Sequence, residues 1–203
     1  MDVIILEVAG MDAAIEAMRL PMKSGDKSDS KWDRYCDEEP VYVVGPADCH
    51  LSAKLIKAGS SHRKHLRLID VWLKIRAPRY WWTEFDTYRV GVDKVSESTM
   101  HRILKDKISR HDFGGLSYPM FTAFLEELDI VNQALDEGSM DEATAIRRIK
   151  KVLPESYLQT RIVKCSYEAL RNMYQERKSH RLLEWQEFCH SLKKLNHSEW
   201  ITK

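Results

Sequence analysis

Hydrophobic residues along the chain fall into short apolar runs and longer amphipathic stretches. Residues 2–9 (DVIILEVA) form a short run rich in β-strand formers that stops at Gly10, which predicts a buried strand. Residues 66–75 alternate between polar and apolar side chains, which predicts a second strand. Its apolar face is formed by Ile69, Val71, Leu73 and Ile75. Further short strands are predicted at 41–44 and 157–164.

Apolar spacing typical of a helix is clearest between Tyr118 and Leu135. Gly138 ends this helix, and Ser139 to Glu142 reads as a capping box that opens the next one, which Pro154 closes. Pro78 suits the first turn of another helix, and the aromatic run that follows it predicts packing in the core. The remaining predicted helices cover 11–18, 47–58, 166–178 and 181–195.

The segment 22–39 is polar and has no hydrophobic period, so it predicts a flexible loop. The length of 203 residues suits one domain, or one domain with a small appendage, and we predict a single α/β domain covering residues 1–203.

Charge and cysteine usage restrict the classes of partner and compartment. A net charge of +1, from 32 basic and 31 acidic residues, provides no general attraction to nucleic acid or to an anionic membrane. Any phosphate binding must therefore rest on a local cluster of cations. The N-terminal residues lack the basic flank of a signal peptide, and no apolar run approaches the roughly 20 residues of a bilayer span. We expect a cytoplasmic protein without a disulfide framework, because its four cysteines are scattered: Cys36, Cys49, Cys165 and Cys189.

Several common sites are not indicated by the sequence. Neither Gly-x-Gly-x-x-Gly nor Gly-Lys-Ser/Thr occurs, which argues against Rossmann and P-loop phosphate cradles. His62 and His65 lie three residues apart but lack a third ligand nearby, so no metal site is expected.

Three stretches of the chain share their order and separations with the motifs of a known family. Ser61 to His65 (SHRKH) is similar to a Ser-Pro-x-x-His element, and Arg79 to Arg102 is similar to Arg-His-Arg followed by Asn-Glu-x-Ser-x-Arg. Lys150 to Pro154, with the helix up to Arg177, is similar to Arg-x-x-Leu-Pro followed by an asparagine and an arginine. On these residues, which span roughly 50–190, the chain resembles the flavin-dependent thymidylate synthases.

This resemblance implies a fold, an assembly and a reaction. The fold would be α/β (α+β), a twisted mixed or antiparallel sheet flanked by helices, and the assembly a homotetramer with active sites between subunits. The reaction would be methylation at C5 of a uracil nucleotide. Methylenetetrahydrofolate would supply the carbon, reduced FAD the hydride, and NADPH would reduce the flavin.

The resemblance also implies cofactor contacts at matching positions. Arg89 retains the second arginine of Arg-His-Arg, whereas Thr87 and Tyr88 replace the first arginine and the histidine. Tyr88 keeps an aromatic face on which a ring can stack, and the alternative, which its residue type favours, is packing in the core. Glu168 replaces an arginine, which reverses a charge beside an anionic ligand. The implied cofactor-binding residues are Arg89, Tyr88, Ser166, Asn172 and His65.

Substrate contacts carry over in the same way. Glu97 matches the glutamate of Asn-Glu, Thr99 replaces the serine hydroxyl, and His101 stands where an arginine is expected. We expect Arg89, Lys150 and Arg177 to converge on one anion-sized hollow where neighbouring copies meet. For Lys150 the alternative is a solvated helix end. The implied substrate-binding residues are Glu84, Glu97, Thr99, His101, Lys150 and Arg177.

Three functions therefore remain open from the sequence. The first is a flavin-dependent enzyme that alkylates a pyrimidine nucleotide, in which the cofactors carry the chemistry and no protein nucleophile is needed. The second is a nucleotide-binding homologue that has lost flavin chemistry, because part of the arginine–histidine motif is absent. The third is a structural or adaptor protein without a small ligand.

Overall fold

The computed structural model describes residues 1–34 and 40–203, apart from the side chain of His101. Four strands form the larger sheet, in the order β1-β4-β6-β5, and two short strands form a separate antiparallel pair in which Trp32 lies opposite Tyr42. The strands are β1 (Asp2–Ala9), β2 (Lys31–Asp33), β3 (Val41–Val43), β4 (Asp70–Pro78), β5 (Val92–Ser96) and β6 (Leu158–Ser166).

Helices fill most of the sequence between the strands. They are α1 (Met11–Arg19), α2 (Pro46–Ala58), α3 (Arg79–Phe85), α4 (Thr99–Arg102), α5 (Tyr118–Asp136), α6 (Glu142–Val152), α7 (Tyr167–Arg177), α8 (Leu183–Leu192) and α9 (Glu199–Thr202). The predicted fold class, a mixed α/β fold with antiparallel sheets and flanking helices, is confirmed.

The chain divides into two compact units. Unit 1 comprises residues 1–2, 75–87 and 95–161, and unit 2 comprises residues 3–74, 88–94 and 162–203.

The core of unit 1 is aromatic and aliphatic. Trp81, Trp82 and Phe85 of α3 are fully buried, and the two indole rings meet edge to face with their centroids 4.9 Å apart. This geometry confirms that the aromatic run packs in the core. Helices α5 and α6 each bury one face in a hydrophobic cluster that also includes Phe113 and Tyr157. The helices contribute Phe124, Leu128, Val131, Ala145 and Ile149.

Unit 2 buries the apolar face of α7 against the C-terminal helices. Leu170 and Met173 of α7, Trp185 of α8 and Trp200 of α9 are almost completely buried. The hydroxyl of Tyr167 donates to the backbone carbonyl of Asn196 at 2.6 Å, which satisfies the polar end of a buried ring.

Part of the segment predicted as a flexible loop is tied to the start of α2. The buried carboxylate of Asp48 accepts hydrogen bonds from Arg19 Nε at 2.5 Å and from the hydroxyls of Ser28 and Ser30 at 2.6 Å. The carboxylate of Asp29 accepts the backbone N–H groups of residues 47 and 48. Residues 35–39 of the predicted loop lie outside the described residues.

Three local predictions are corrected by the structure. The strand predicted at 66–75 begins at Asp70, because residues 64–67 form a 3-10 turn that buries Leu66. The cap of α6 is Asp141, whose carboxylate accepts the Thr144 N–H at 2.9 Å, whereas Ser139 donates back to the end of α5. Strand β1 is confirmed, but its predicted burial is wrong, because it lies at the edge of the sheet with Ile4 and Leu6 half exposed.

The described residues contain no helix long and apolar enough to cross a bilayer. Among them Cys49, Cys165 and Cys189 are free thiols, and Cys36 falls outside the described part of the chain. The same residues contain no group of three or more His, Cys, Asp or Glu side chains placed to hold a metal ion.

Candidate functional site

A cavity of about 560 Å³ opens in unit 1 where β5 leads into α4. Two of the predicted substrate-binding residues, Glu97 and Thr99, lie on its wall. The complete lining is Arg76, Glu97, Ser98, Thr99, Arg102, Asp106, Asp112, Tyr157 and Thr160.

Backbone pairing fixes Glu97 on the cavity wall. The Glu97 N–H donates to the Thr160 carbonyl at 3.0 Å, and Glu97 Oε1 accepts the Thr160 N–H at 2.8 Å. Glu97 therefore continues the pairing of β5 with β6 by one residue. Its second carboxylate oxygen makes no hydrogen bond to any described residue, so it is available to accept an N–H or O–H of a ligand. Ser98 then caps α4 by accepting the Met100 N–H at 3.2 Å, which places Thr99 in the first turn.

Arg76 is held rigidly in the cavity wall. Its Nη2 donates to Asp112 Oδ1 at 2.9 Å and to the His111 carbonyl at 3.2 Å. Asp112 is itself fixed, because its other oxygen accepts the backbone N–H and the hydroxyl of Ser109. The guanidinium of Arg76 thus has two partners, one of which belongs to a local capping box.

Tyr157 presents a hydroxyl to the cavity from a buried ring. The residue is only 9% exposed, and its ring packs edge-on against Phe113 at 5.5 Å. Burial raises the pKa of Tyr157, and the carboxylates of Glu97, Asp112 and Asp106 act in the same direction. The phenol therefore stays protonated near neutral pH and can donate a hydrogen bond, while it makes none to a described residue.

Arg102 is the more exposed cation of the cavity. Its Nη2 lies 2.7 Å from Asp106 Oδ1 and its Nε lies 3.2 Å from Asp106 Oδ2, while 67% of its side chain is exposed. Each guanidinium in the cavity thus faces a carboxylate of its own.

In unit 2 the structure brings Tyr88 and Arg177 together. Arg177 Nε donates to the Tyr88 hydroxyl at 2.8 Å, and that hydroxyl donates to Glu176 Oε2 at 2.7 Å. The guanidinium lies over the ring of Trp185, 4.8 Å from its centroid. Burial raises the pKa of Tyr88, and its bond to Glu176 adds to this, whereas Arg177 opposes it. Tyr88 and Arg177, both predicted to contact a ligand, are therefore hydrogen-bonded to each other.

The charge reversal at residue 168 has a partner elsewhere in unit 2. Glu168 is 8% exposed, and its Oε2 accepts a hydrogen bond from Arg63 Nε at 2.8 Å. Arg63 Nη2 also lies 3.5 Å from Oδ1 of the exposed Asn172. Arg63 therefore neutralises the reversed charge of Glu168, beside the predicted cofactor residue Asn172.

The side chains of Ser166 and His65 both form hydrogen bonds within the protein. Ser166 is buried and caps α7 by accepting the Ala169 N–H at 3.2 Å. His65 is 3% exposed, and its Nε2 lies 2.8 Å from the buried hydroxyl of Ser52. Burial lowers the pKa of His65 to about 4, so the imidazole is neutral at physiological pH. Its Nδ1 has no hydrogen-bond partner among the described residues.

Among the remaining predicted residues, Glu84, Arg89 and Lys150 are not part of the cavity lining. Arg89 is exposed in unit 2 and pairs with no described residue, while Lys150 is exposed in the last turn of α6 in unit 1. Glu84 is half-buried in α3, and His101 belongs to α4. The convergence of Arg89, Lys150 and Arg177 stays a prediction, because the three cations are distributed over the two units.

Sequence reasoning missed seven of the nine residues that line the cavity, including Ser98 and Thr160 beside Glu97. Arg102 lies within the second matching stretch, where its neighbour His101, and not Arg102, stands at the motif's arginine. The Ser109 to Asp112 spacing is a capping-box signal that would have located Asp112. Arg76, Asp106 and Tyr157 carry no motif, because they reach the cavity through strand pairing and packing.

No protein-family model matches the sequence, and no curated protein matches it either. Solved structures do resemble it over its whole length. Thymidylate synthase X of Helicobacter pylori, in a crystal structure with FAD and dUMP, is 20% identical, with a TM-score of 0.73 over 100% of this chain and 97% of that one.

A second crystal structure of the Helicobacter pylori enzyme with FAD and dUMP has a TM-score of 0.69 at 19% identity, covering 99% of this chain and 98% of that one. The UMP/dUMP methylase PolB of Streptomyces cacaoi, bound to 5-bromo-dUMP, has a TM-score of 0.65 at 17% identity, covering 95% and 88%. The chain therefore has the fold of the flavin-dependent thymidylate synthases, which confirms at the level of the fold the resemblance that its three motif stretches indicate.

Proposed function

We propose that this protein binds a pyrimidine nucleotide and alkylates its uracil ring at C5 with the help of a reduced flavin. The observation that carries the proposal is the cavity in unit 1, which has Glu97 and Thr99 on its wall. The fold supports it, because structures with that fold contain FAD and dUMP or 5-bromo-dUMP.

The side chains of the cavity suit a nucleoside with its phosphate. Glu97 offers a free carboxylate oxygen to a base N–H or a sugar O–H, and Tyr157 offers a protonated hydroxyl. Thr99 adds a second hydroxyl, and the guanidinium groups of Arg76 and Arg102, each paired with a carboxylate, are the cationic donors of the lining. A few fixed polar groups in a concave site are what orient a small ligand.

The flavin would be held by exposed polar residues of unit 2. Arg89 and Asn172 are the predicted cofactor residues that are exposed, and Arg63, which is paired with Glu168, places a second cationic group beside Asn172. These donors suit the phosphates of a dinucleotide. When bound, reduced FAD supplies the hydride, methylenetetrahydrofolate the carbon, and NADPH the electrons that reduce the flavin.

Nucleotide binding is tested by the thermal stability of the purified protein. A ligand present at a hundredfold its dissociation constant should add about 2.7 kcal/mol to the free energy of unfolding. We expect a shift with dUMP or UMP and none with AMP, which serves as the control. The absence of a shift with every pyrimidine nucleotide contradicts the proposal.

Alkylation is tested by release of tritium from C5 of labelled dUMP and UMP. The reaction replaces the C5 hydrogen by carbon, so label should enter water only when FAD, NADPH and methylenetetrahydrofolate are all present. Glu97→Gln should reduce this release, and flavin absorbance of the loaded protein reports cofactor binding separately.

A second candidate function is nucleotide binding without flavin chemistry. It is favoured by one observation: Tyr88, Ser166 and His65, three of the predicted cofactor contacts, are engaged in hydrogen bonds within the chain. Protein that binds dUMP but takes up no FAD, and releases no tritium, would establish this function in place of the first.

A further inference from the structure

We infer that a second cavity, formed entirely by residues of unit 2, binds a planar nitrogen heterocycle that carries N–H donors along one edge and no phosphate. The cavity holds about 370 Å³ and is lined by the end of β1, the first turn of α1, the β2–β3 pair and the segment before α9. A cavity of this volume suits one small ligand. The inference does not depend on the proposed function, because this lining shares no residue with the unit 1 cavity.

Two aromatic side chains of the β2–β3 pair line the cavity. Trp32 and Tyr42 lie directly opposite each other in the ladder, so their side chains share one face of the pair. Their rings meet edge to face with the centroids 5.3 Å apart. Trp32 is still 57% exposed, and its indole N–H makes no hydrogen bond to a described residue. The indole therefore offers a face for stacking and a free donor.

His197 adds a third ring, whose orientation is fixed by its neighbours. The imidazole stacks on the buried ring of Trp200, with the centroids 4.6 Å apart and 18° between the planes. Its Nδ1 lies 3.4 Å from Glu199 Oε1 and 3.7 Å from Cys49 Sγ. When Nδ1 donates to the carboxylate of Glu199, Nε2 is an acceptor. Since His197 lines the cavity, Nε2 is the ring nitrogen available to a ligand.

The charge of the lining selects against anions. Asp12 contributes a carboxylate, and the described residues of the lining include no lysine or arginine. Asp12 Oδ1 accepts the Ala13 N–H at 2.8 Å, while Oδ2 accepts no hydrogen bond from a described residue. A carboxylate without a counter-ion repels a phosphate and attracts N–H donors. An amino group beside a ring N–H, as in the 2-amino-4-oxo edge of guanine and of pterin, therefore matches the acceptors of this cavity.

The two turns that carry these groups are held in place by the rest of unit 2. Gly10 has a φ of +80°, and a Cβ there would lie 2.2 Å from the carbonyl oxygen of Leu68, so the turn from β1 into α1 requires glycine. Asn196, which precedes His197 in the lining, accepts the hydroxyl of Tyr167 at its backbone carbonyl at 2.6 Å. Its amide can donate to a ring carbonyl. The cavity thus combines stacking rings with a few positioned donors and acceptors, as ligand sites do.

Isothermal titration calorimetry with guanosine and with pterin tests the inference, and the two probes distinguish the two sources of the edge. We expect at least one of them to bind. Inosine and lumazine, which lack the 2-amino group, should bind roughly tenfold more weakly than guanosine and pterin respectively. GMP should bind more weakly than guanosine, because its phosphate meets the carboxylate of Asp12 without a cation in the lining.

Two variants show whether the bound probe occupies this cavity. Asp12→Asn should weaken binding roughly tenfold, because it removes the charged acceptor, whereas asparagine can still accept the Ala13 N–H. Trp32→Leu should weaken binding by a similar factor through the loss of stacking. Glu16→Gln is the matched control, since it removes an exposed carboxylate from the same helix outside the lining.

Four results would overturn the inference. They are no binding of guanosine or pterin, equal binding of each probe and its analogue without the amino group, equal binding of GMP and guanosine, and equal effects of Asp12→Asn and Glu16→Gln. None of them bears on the nucleotide cavity of unit 1, which the thermal shift with dUMP tests separately. Circular dichroism verifies the fold of Trp32→Leu, which the exposure of Trp32 should preserve.

Discussion

At the residue scale, His65 shows how burial couples protonation to stability. Its imidazole lies edge-on to Trp200 with the ring centroids 6.2 Å apart, and burial lowers its pKa from the ordinary 6.5 to about 4. Between these two values the unfolded chain binds a proton that the folded chain does not. Stability is therefore complete above about pH 6.5 and decreases as the pH falls toward 4.

We predict a loss of up to about 3 kcal/mol from this residue between pH 7 and pH 4, in the free energy of unfolding. Urea unfolding at several pH values measures it, and His65→Gln is the comparison, because glutamine keeps a polar group near Ser52 without titrating. The difference in the free energy of unfolding between the unmodified protein and His65→Gln should decrease as the pH is lowered. A constant difference across the range would show that His65 does not cause the pH dependence.

Residues of the candidate site differ in how far the sequence could reveal them. Glu97 and Thr99 could be predicted, because they belong to one short segment with a recognisable pattern. Arg76 and Tyr157 could not, since they reach the same cavity only through strand pairing and side-chain packing, which requires the register to be known. The ion pair of Glu168 with Arg63 joins residues 105 positions apart, so a reversed charge looked uncompensated in the sequence.

At the scale of elements, the spacing of hydrophobic residues in the sequence predicted the long helices but not the short, exposed strands. Helix α5 was predicted almost to its ends, because its buried residues repeat at helical spacing. Strands β5 and β2 were missed, since each has few residues and mostly exposed side chains, and their pairing is decided by neighbouring strands. Helix α9 has only four residues, too few for a period to show.

The buried carboxylate of Asp48 holds the segment before α2 through hydrogen bonds. Replacing this carboxylate tests whether it keeps the segment in place. Burial alone would raise the pKa of Asp48, yet hydrogen bonds from Ser28, Ser30 and Arg19 lower it overall. Asp48→Asn leaves the buried Arg19 without a counter-ion, so we expect a loss of about 3 kcal/mol in stability.

Urea denaturation measures this loss, and hydrogen exchange across residues 22–34 should show faster exchange in the variant. Asp26→Asn is the matched control, because Asp26 is exposed on the same segment. Equal denaturation midpoints for the two variants would mean that the Asp48 network does not hold this segment.

At the scale of the whole molecule, both units leave large apolar side chains in contact with water. Ile4 and Leu6 of β1 are 53% and 51% exposed in unit 2, and Tyr118, Met120 and Ile130 of α5 are exposed in unit 1. Exposed apolar groups that lie near one another are typical of surfaces covered by another protein chain. The homotetramer implied by the resemblance would cover such groups.

We therefore predict a mass of four chains of 23.8 kDa in solution, measured by size-exclusion chromatography with light scattering. Ile4→Glu combined with Leu6→Glu should reduce that mass, because a charged edge strand resists association. Glu7→Gln is the control on the same strand, since it adds no charge and should leave the mass unchanged. A mass of 23.8 kDa for the unmodified protein at micromolar concentration would contradict the tetramer, and any site that needs residues from a second copy would then have to be abandoned.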